Sequence, residues 1–171
     1  MQMFIGGKRV DASDGKVSQV VNPATGQVID TVPEATLEDL DRAIALAVEG
    51  QKEWNAVPLH EREAIIEKYC QLVTAPDMVE KLSLIHIEQC RTEVFANAAI
   101  FRIYNAAAYT FYGKSLPYDG ESRSQGDVAF TVHEPLGVFA NIVPFNYPFE
   151  LAAHKLAPML VTGNSVVLMP S

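Results

Sequence analysis

The sequence predicts an α/β fold in which a partial Rossmann-like parallel sheet, a βαβ unit over residues 137–171, follows a short antiparallel β-meander and several helices. Two observations support the βαβ unit. Residues 137–143 and 166–168 are apolar at most positions, as in strands that are covered on both faces. Residues 149–161 between them have the apolar spacing of a helix. Strand, helix and strand within about thirty residues make a right-handed crossover between parallel strands.

Residues 1–35 predict the meander, because short stretches there alternate apolar and polar side chains. These stretches are residues 4–10, 17–21 and 27–32. A turn over residues 22–26 (Asn-Pro-Ala-Thr-Gly) separates the last two, since proline presets its backbone angle and glycine accepts a positive φ.

Residues 36–113 predict four helices. The hydroxyl of Thr36 is placed to cap the first, and acidic residues follow in the first turn, where the helix dipole favours them. Pro58 suits the start of the second helix. Apolar spacing gives the approximate bounds 36–54, 58–75, 77–87 and 93–112. Three aromatic side chains of the fourth helix are expected in the core: Phe101, Tyr104 and Tyr109.

The region after the helices contains a polar loop at residues 120–126 and an alternating stretch at residues 127–134, which predicts one further strand. The final residues, 165–171, have the pattern of a buried strand and the start of a loop. Because chain termini usually lie at exposed and tolerant places, we expect this sequence to be truncated within a longer protein.

Composition and charge exclude several functional classes. The net charge is −8, from 13 basic and 21 acidic side chains, so we expect no binding to the phosphate backbone of nucleic acid. The amino terminus lacks the pattern of a signal peptide, and two cysteines are too few for a disulfide framework. No apolar run is long enough to span a membrane, so no membrane partner is expected and the expected location is the cytoplasm.

The common nucleotide-binding and catalytic motifs are absent from the sequence. It contains neither a Gly-x-Gly-x-x-Gly motif nor a Walker phosphate loop nor a Gly-x-Ser-x-Gly nucleophile elbow. The four histidines lack ligand spacing with cysteine or carboxylate, so no metal site is expected.

The turn inside the βαβ unit, residues 143–148 (Val-Pro-Phe-Asn-Tyr-Pro), is the main candidate site. Ligands of open parallel sheets bind at the carboxyl ends of the strands, where this turn lies. Two prolines stiffen it, and the amide of Asn146 between them could donate a hydrogen bond to negative charge that develops on a substrate oxygen. Alternatively, Asn146 caps the following helix, a role that asparagine performs well and that the spacing alone favours.

Four motifs follow one another in the second half of the chain: Glu-Pro-Leu-Gly-Val at residues 134–138, the turn at 143–148, Ala-His-Lys-Leu-Ala-Pro-Met at 153–159, and Gly-Asn-Ser-Val-Val-Leu-Met-Pro-Ser at 163–171. In this order and spacing they resemble the NAD(P)-dependent aldehyde dehydrogenase superfamily. The turn at 22–26 and the stretch at 87–92 also resemble sequences of this family. The chain thus resembles the amino-terminal part of such an enzyme over essentially its whole length.

This resemblance implies roles for several residues. The side-chain amide of Asn146 would contribute to an oxyanion hole. Lys155 would lie near a proton-exit route, although Lys155 can equally be interpreted as a solvated residue of an amphipathic helix. The cofactor, NAD or NADP, would be contacted by two groups: Ile142, Val143, Pro144 and Phe145 in the cleft, and Met169, Pro170 and Ser171 near the adenosine ribose.

The sequence departs from the family pattern at two places. Met169 stands where the family has a lysine that bonds the ribose hydroxyls, and a thioether offers no donor. Cys90 and Arg91 replace a glycine and a lysine at the end of the third helix, where a left-handed backbone would strain a cysteine.

The two cysteines of the chain are poor candidates for a nucleophile. Cys70 is on the apolar side of a helix, where the thiolate is disfavoured. Cys90 lies beside Arg91, which could lower the pKa of its thiol, but no base is positioned next to it. The nucleophilic cysteine, the general-base glutamate and the glycine-containing cofactor loop of the family would lie beyond Ser171.

The resemblance therefore implies an oxidoreductase that converts a small-molecule aldehyde to a carboxylic acid with NAD(P), through a cysteine thiohemiacetal and a thioester. The chain alone is expected to be inactive. Two alternatives stay open: a relative that acylates CoA or acts on phosphate substrates, and a non-catalytic homologue that acts as a binding module. The stretch at 127–134 resembles the family's oligomerisation strand, which implies a homo-oligomer.

Overall fold

The computed structural model describes residues 1–83, 89–118 and 122–171 of the chain. The end of the predicted third helix lies outside these residues, and so do the first residues of the motif at 87–92 and of the loop predicted at 120–126. In the described part, five helices accompany four pairs of strands.

Two β-hairpins open the chain: β1 (Met3–Ile5) pairs antiparallel with β2 (Lys8–Val10), and β3 (Val17–Val21) with β4 (Val28–Pro33). The predicted short antiparallel strands are confirmed, and they form two separate two-stranded sheets. Between the hairpins, the amide of Ser13 donates to the carboxylate of Asp39 in the first helix at 3.0 Å.

Helices α1 to α4 follow, with the bounds Leu37–Ala56, Leu59–Val73, Pro76–Ser83 and Gln89–Ala108. The predicted cap at Thr36 is confirmed. Its Oγ1 accepts from the amide of Asp39 at 3.2 Å, and the Asp39 carboxylate accepts from the amide of Thr36 at 3.1 Å. This capping box satisfies amides that have no acceptor within the helix. Helix α4 begins and ends earlier than the predicted range of 93–112.

After α4 the chain passes close to Thr131 at Gly113, where a Cβ atom would lie 1.6 Å from the carbonyl oxygen of Thr131. Only glycine permits this close approach. It leads to β5 (Ser115–Leu116), which pairs antiparallel with β6 (Ala129–Phe130). The strand predicted over 127–134 is therefore too long, because its partner in the described residues offers only two residues for pairing.

The βαβ unit consists of β7 (Val138–Ile142), α5 (Pro148–Val161) and β8 (Ser165–Met169). The predicted parallel pairing is confirmed, with a register that runs from Val138 opposite Ser165 to Ile142 opposite Met169. Gly163 ends the helix with a φ of 83°. A Cβ atom on this glycine would also lie 2.6 Å from a guanidinium nitrogen of Arg62.

The prediction that both strands are covered on both faces is wrong at their carboxyl ends. Helices α1 and α5 pack against the pair, and Asn141 and Val143 are buried. The side chains of Ile142, Leu168 and Met169 are nevertheless exposed. Each strand also has a single neighbour in the described part of the chain, so both outer sides of the pair lack a hydrogen-bonded strand there.

The hydrophobic core lies between α2, α4 and α5 and includes Ile66, Cys70, Ala98, Phe101 and Ala153. The predicted burial of Phe101 is confirmed, and Tyr104 packs partly buried against the core. The prediction for Tyr109 is wrong. This side chain follows the last turn of α4, is exposed, and donates a short hydrogen bond to the carboxylate of Glu63.

The apolar stripe of α1 has helical spacing but is largely exposed, at Leu37, Leu40, Ile44 and Val48. Of the described helices, none is both long and apolar enough to cross a membrane. Likewise, the described residues contain no group of three histidine, cysteine or acidic side chains that could hold a metal ion.

Candidate functional site

The candidate site is the edge of the sheet at which β7 and β8 end. Because the strands are parallel, the loops that follow them leave the sheet side by side. The amide of Val143 donates to the carbonyl oxygen of Met169 at 3.0 Å, one residue beyond the end of β7. The structure thus brings together the two groups of residues that the sequence assigned to a cofactor, residues 142–145 and 169–171.

The side chains at this edge form an exposed apolar surface. The exposed fractions are 61% for Ile142, 84% for Phe145 and 59% for Met169. Val143 differs, because only 4% of it is exposed and its side chain belongs to the interior. Chemically, this surface suits contact with a flat aromatic or aliphatic group, and the thioether of Met169 adds no hydrogen-bond donor.

Asn146 lies in the loop between β7 and α5, and its side chain is exposed. The residue at the N-cap position of α5 is Tyr147, and no side chain caps this helix from that position. Pro148 occupies the first helical position, where the missing N–H is not needed. Asn146 therefore does not act as the N-cap of α5, and its amide is accessible to a ligand at the edge.

The first turn of α5 is instead held by two side chains of α4, which the sequence analysis missed. A carboxylate oxygen of Glu93 accepts from the amide of Phe149 at 3.1 Å, and Nδ2 of Asn97 donates to the carbonyl oxygen of Phe149 at 2.8 Å. Both side chains are buried, with exposed fractions of 5% for Glu93 and 1% for Asn97. We call this pair, Glu93 and Asn97, the α4 clamp.

The clamp has a sequence signal that is visible in retrospect. Glu93 and Asn97 are four residues apart, so they lie on one face of α4, and they interrupt a helix that is otherwise rich in apolar residues. Polar side chains on a buried face require partners. One such partner is Tyr69, whose hydroxyl donates to Oδ1 of Asn97 at 2.9 Å, and burial raises the pKa of Tyr69 to about 12.

Lys155 projects from α5 toward the end of β7. Its Nζ atom donates to the carbonyl oxygen of Ile142 at 2.7 Å. This bond ties the helix to the last residue of the strand from which the candidate loop begins. The contact is neither of the two interpretations from the sequence, although it places the ammonium group at the same edge as Asn146.

Neither cysteine lies at this edge of the sheet. Cys70 is fully buried in the core, its Sγ lies 3.6 Å from the carbonyl oxygen of Ala98, and burial raises the pKa of its thiol. The pKa of Cys90 is also raised, by burial and by the neighbouring carboxylate of Glu93. The expectation that Arg91 lowers the pKa of Cys90 is therefore wrong.

Cys90 also corrects the expectation of a strained backbone. It lies in the first turn of α4, and no residue other than glycine has a positive φ in the described ranges. Because Cys90 is part of the helix, its backbone is helical and no left-handed residue is needed there.

One cavity of the described residues lies away from this edge. It has a volume of about 460 Å³ and lies between α4 and α5 at the amino ends of the strands, beside Phe111, His133, Phe139 and Met159. The rings of Phe111 and His133 stack with their centroids 4.3 Å apart. It contains none of the site residues predicted from the sequence.

Comparison with known proteins gives consistent matches. Residues 10–171 match the model of the aldehyde dehydrogenase family. The fold is also similar to solved structures of NAD(P)-dependent enzymes. One is the NADP-dependent glyceraldehyde-3-phosphate dehydrogenase of Bacillus halodurans C-125 complexed with NADP, with 31% identity over 99% of this chain and 37% of that chain and a TM-score of 0.86.

Two further structures show the same similarity. PnpE of Pseudomonas sp. WBC-3, in complex with nicotinamide adenine dinucleotide, is 30% identical over 98% of this chain and 34% of its own, with a TM-score of 0.88. Aldehyde dehydrogenase 21 of Physcomitrella patens, in complex with the reaction product succinate, is 30% identical over 99% of this chain and 36% of its own, with a TM-score of 0.86. The chain spans about a third of the length of these structures.

Proposed function

Because this chain belongs to the aldehyde dehydrogenase family, we propose that the whole protein is an oxidoreductase that converts a small-molecule aldehyde to a carboxylic acid with NAD or NADP. The observation that supports this most directly is the position of Asn146. Its amide is exposed beside the carboxyl ends of two parallel strands, and it is not used as the N-cap of α5.

The proposed role of Asn146 is to donate a hydrogen bond to the oxygen of the aldehyde. When a thiolate adds to the carbonyl carbon, negative charge develops on that oxygen. A donor that is held in place before the reaction stabilises this charge without having to reorganise. The two prolines that flank the loop, at 144 and 148, restrict its backbone and so favour such a fixed donor.

The exposed surface at the edge fits part of a nicotinamide dinucleotide. Ile142 and Phe145 offer apolar contact to a ring, because both side chains are exposed. Met169, Pro170 and Ser171 would contact the ribose, where Met169 provides no donor to its hydroxyls. When bound, the cofactor supplies the acceptor for the hydride.

The nucleophile would come from residues outside this chain. Cys70 is fully buried in the core, and the pKa of each of the two thiols is raised, which disfavours the thiolate that would attack the carbonyl. We therefore propose that the 171 residues by themselves do not oxidise aldehydes. Lys155 stays a proposed contributor to proton transfer, with its ammonium group at Ile142 as the supporting contact.

A non-catalytic homologue that acts as a binding module is the second candidate, and Met169 is the observation that favours it. A relative that acylates CoA or acts on a phosphate substrate is the third; the similarity to a glyceraldehyde-3-phosphate dehydrogenase supports it. We also propose a cytoplasmic homo-oligomer. Exposed apolar side chains around β6, at Val128, Phe130 and Val132, support an interface there.

Expression of a polypeptide that continues this chain to the length of its relatives tests the proposal. We expect reduction of NAD or NADP that depends on an added aldehyde, with release of the corresponding acid. Cofactor reduction that requires CoA and yields an acyl-CoA in place of the acid, or that occurs only with phosphorylated aldehydes, would favour the third candidate. A folded protein that binds neither cofactor and reduces neither with any of a panel of aldehydes would leave the binding module as the answer.

A further inference from the structure

The α4 clamp contacts both polar backbone groups of a single residue, Phe149. Glu93 accepts from the N–H and Asn97 donates to the C=O. These two bonds connect the first half of α4 to the start of α5, and the partners are 56 and 52 positions apart in the sequence. Phe149 is three residues beyond Asn146, so the clamp fixes one end of the loop that carries the proposed oxyanion donor.

The clamp takes the place of an ordinary helix cap. The first amides of a helix have no acceptor within it, and a side chain at the N-cap position usually provides one. In α5 that position belongs to Tyr147, which does not cap, and Pro148 has no N–H. The acceptor for the next amide, that of Phe149, comes from Glu93 on α4, and a carboxylate is also favoured there by the helix dipole.

This arrangement extends beyond a local cap, because one of the two clamp residues, Asn97, is itself held by a third side chain. Tyr69 donates to Oδ1 of Asn97, which orients the amide so that Nδ2 points at Phe149. The ring of Tyr69 packs edge-on against Phe101, with centroids 4.9 Å apart. Contacts with the core between α2 and α4 therefore set the position of the first turn of α5.

The other end of the loop is fixed independently. Val143 donates to Met169 at 3.0 Å, and Lys155 donates to Ile142 at 2.7 Å. Asn146 thus lies on a short segment of chain that is anchored to β8 and α5 on one side and to α4 on the other. A loop held at both ends can keep an amide within the narrow geometry that stabilisation of a developing charge requires.

We propose that Glu93 and Asn97 are positioning residues for Asn146, and that they hold its amide in place for the reaction while they make no contact with substrate or cofactor themselves. The inference rests on the proposed function, because it assigns a purpose to the geometry of Asn146. Glu93 is buried, and since the desolvation of a carboxylate is unfavourable, its bond to the amide of Phe149 gives it a partner.

The test uses single variants and one double variant of an active protein that contains this chain. Glu93→Leu removes the acceptor for the amide of Phe149, and Glu93→Gln keeps an acceptor oxygen without the charge. We expect Glu93→Leu to lower kcat by about tenfold, since small misplacements of a catalytic group cost up to about a hundredfold. We expect Glu93→Gln to stay within about threefold of the wild type, with KM for the cofactor nearly unchanged in both.

Asn105→Leu is the matched control. Asn105 is also a buried amide on α4, but it donates to the carbonyl oxygen of Glu63 on α2 at 3.4 Å and makes no bond with α5. We expect this variant to lose stability and to keep its kcat. If Asn105→Leu and Glu93→Leu lower kcat equally, the clamp has only a general structural role and the proposal is wrong.

Introducing Glu93→Leu into Asn146→Ala gives a double-mutant cycle. If the clamp acts through Asn146, the double variant has the kcat of Asn146→Ala alone. If Glu93→Leu lowers kcat by the same factor in the wild type and in Asn146→Ala, the proposal is wrong. Should Glu93→Leu not fold, Asn97→Ala replaces it in the cycle, because that variant removes the other bond to Phe149 and leaves the carboxylate in place.

Amide hydrogen exchange at Phe149, measured by NMR on the folded variants, shows whether the contact exists in solution. We expect protection in the wild type and in Glu93→Gln and faster exchange in Glu93→Leu. No protection in the wild type would contradict the clamp itself. If Asn146→Ala leaves kcat unchanged, the proposed function has failed; if it lowers kcat while Glu93→Leu and Asn97→Ala do not, only the positioning role has failed.

Discussion

The Nζ atom of Lys155 donates a hydrogen bond to the carbonyl oxygen of Ile142 at 2.7 Å, and this contact joins α5 to the last residue of β7. Lys155→Met keeps most of the apolar stem of the side chain and removes the donor. We expect a loss of about 1 kcal/mol in the free energy of unfolding, which is typical of one hydrogen bond. Chemical denaturation of both proteins measures it.

Lys155→Met also distinguishes two roles of Lys155: a tether that holds α5 to β7, and a group on a proton-transfer route. A tether predicts that the dependence of kcat on pH keeps its shape in Lys155→Met, with at most a uniform decrease. A proton route predicts that one limb of the profile moves or disappears. His154→Gln is the control, because His154 is an exposed neighbour on the same helix that does not contact Ile142.

Met169 at the exposed end of β8 gives a prediction about cofactor affinity. Met169→Lys adds an ammonium donor where the family resemblance places the ribose hydroxyls. A charge-assisted hydrogen bond contributes about 1.5 kcal/mol or more, so we expect the dissociation constant for NAD or NADP to fall by roughly tenfold. Met169→Leu, which adds no donor, should leave it unchanged. Equal affinity for all three proteins by calorimetry would show that position 169 does not contact the ribose.

The lowered pKa of Asp39 implies that the stability of the protein depends on pH. Its carboxylate accepts from the amides of Ser13 and Thr36, and these bonds hold the pKa of Asp39 below its ordinary value. A pKa that is lower in the folded state adds stability above the unfolded pKa, near 4, and this stability is lost as the pH falls through the folded value.

We therefore expect the Tm of the wild type to decrease as the pH falls from about 5 toward 3, and Asp39→Ala to have a lower Tm at neutral pH with a shallower decrease. Asp41→Ala, an exposed acidic position in the same helix turn, serves as the matched control. The assignment to Asp39 is wrong if Asp39→Ala and Asp41→Ala show the same pH dependence of Tm.

We expect the isolated chain to show no turnover. Both of its thiols have raised pKa values, through burial at Cys70 and through burial and Glu93 at Cys90. We expect no aldehyde-dependent reduction of NAD or NADP by the purified 171 residues in a fluorescence assay of the reduced cofactor. Turnover that Cys70→Ser or Cys90→Ser abolishes would contradict this.

The sequence predicted those features that depend on neighbours along the chain. The capping box at Thr36 and Asp39 is encoded within four residues, and the βαβ unit within one short segment with two apolar strands. The end of α5 at Gly163 is likewise a local feature, because glycine accepts the positive φ that the chain adopts there.

Features that depend on distant partners were missed or wrong. The α4 clamp joins Glu93 to a residue 56 positions later, and nothing local indicates that partner. The strand at 127–134 has the right alternation, but its length is set by β5, which offers two residues. Spacing alone also favoured Asn146 as a helix cap, because it could not show that Tyr147 occupies the N-cap position and that α4 supplies the acceptor.

The kinetic effect of Asn146→Ala tests the central claim most directly. The proposed bond forms with charge that develops only on the way to the tetrahedral intermediate, so its loss appears in kcat and not in cofactor binding. We expect kcat to fall by about a hundredfold, or roughly 3 kcal/mol, with Tm almost unchanged because Asn146 is not the N-cap of α5. A kcat within about threefold of the wild type, with a Tm lowered as for a lost cap, would contradict the account.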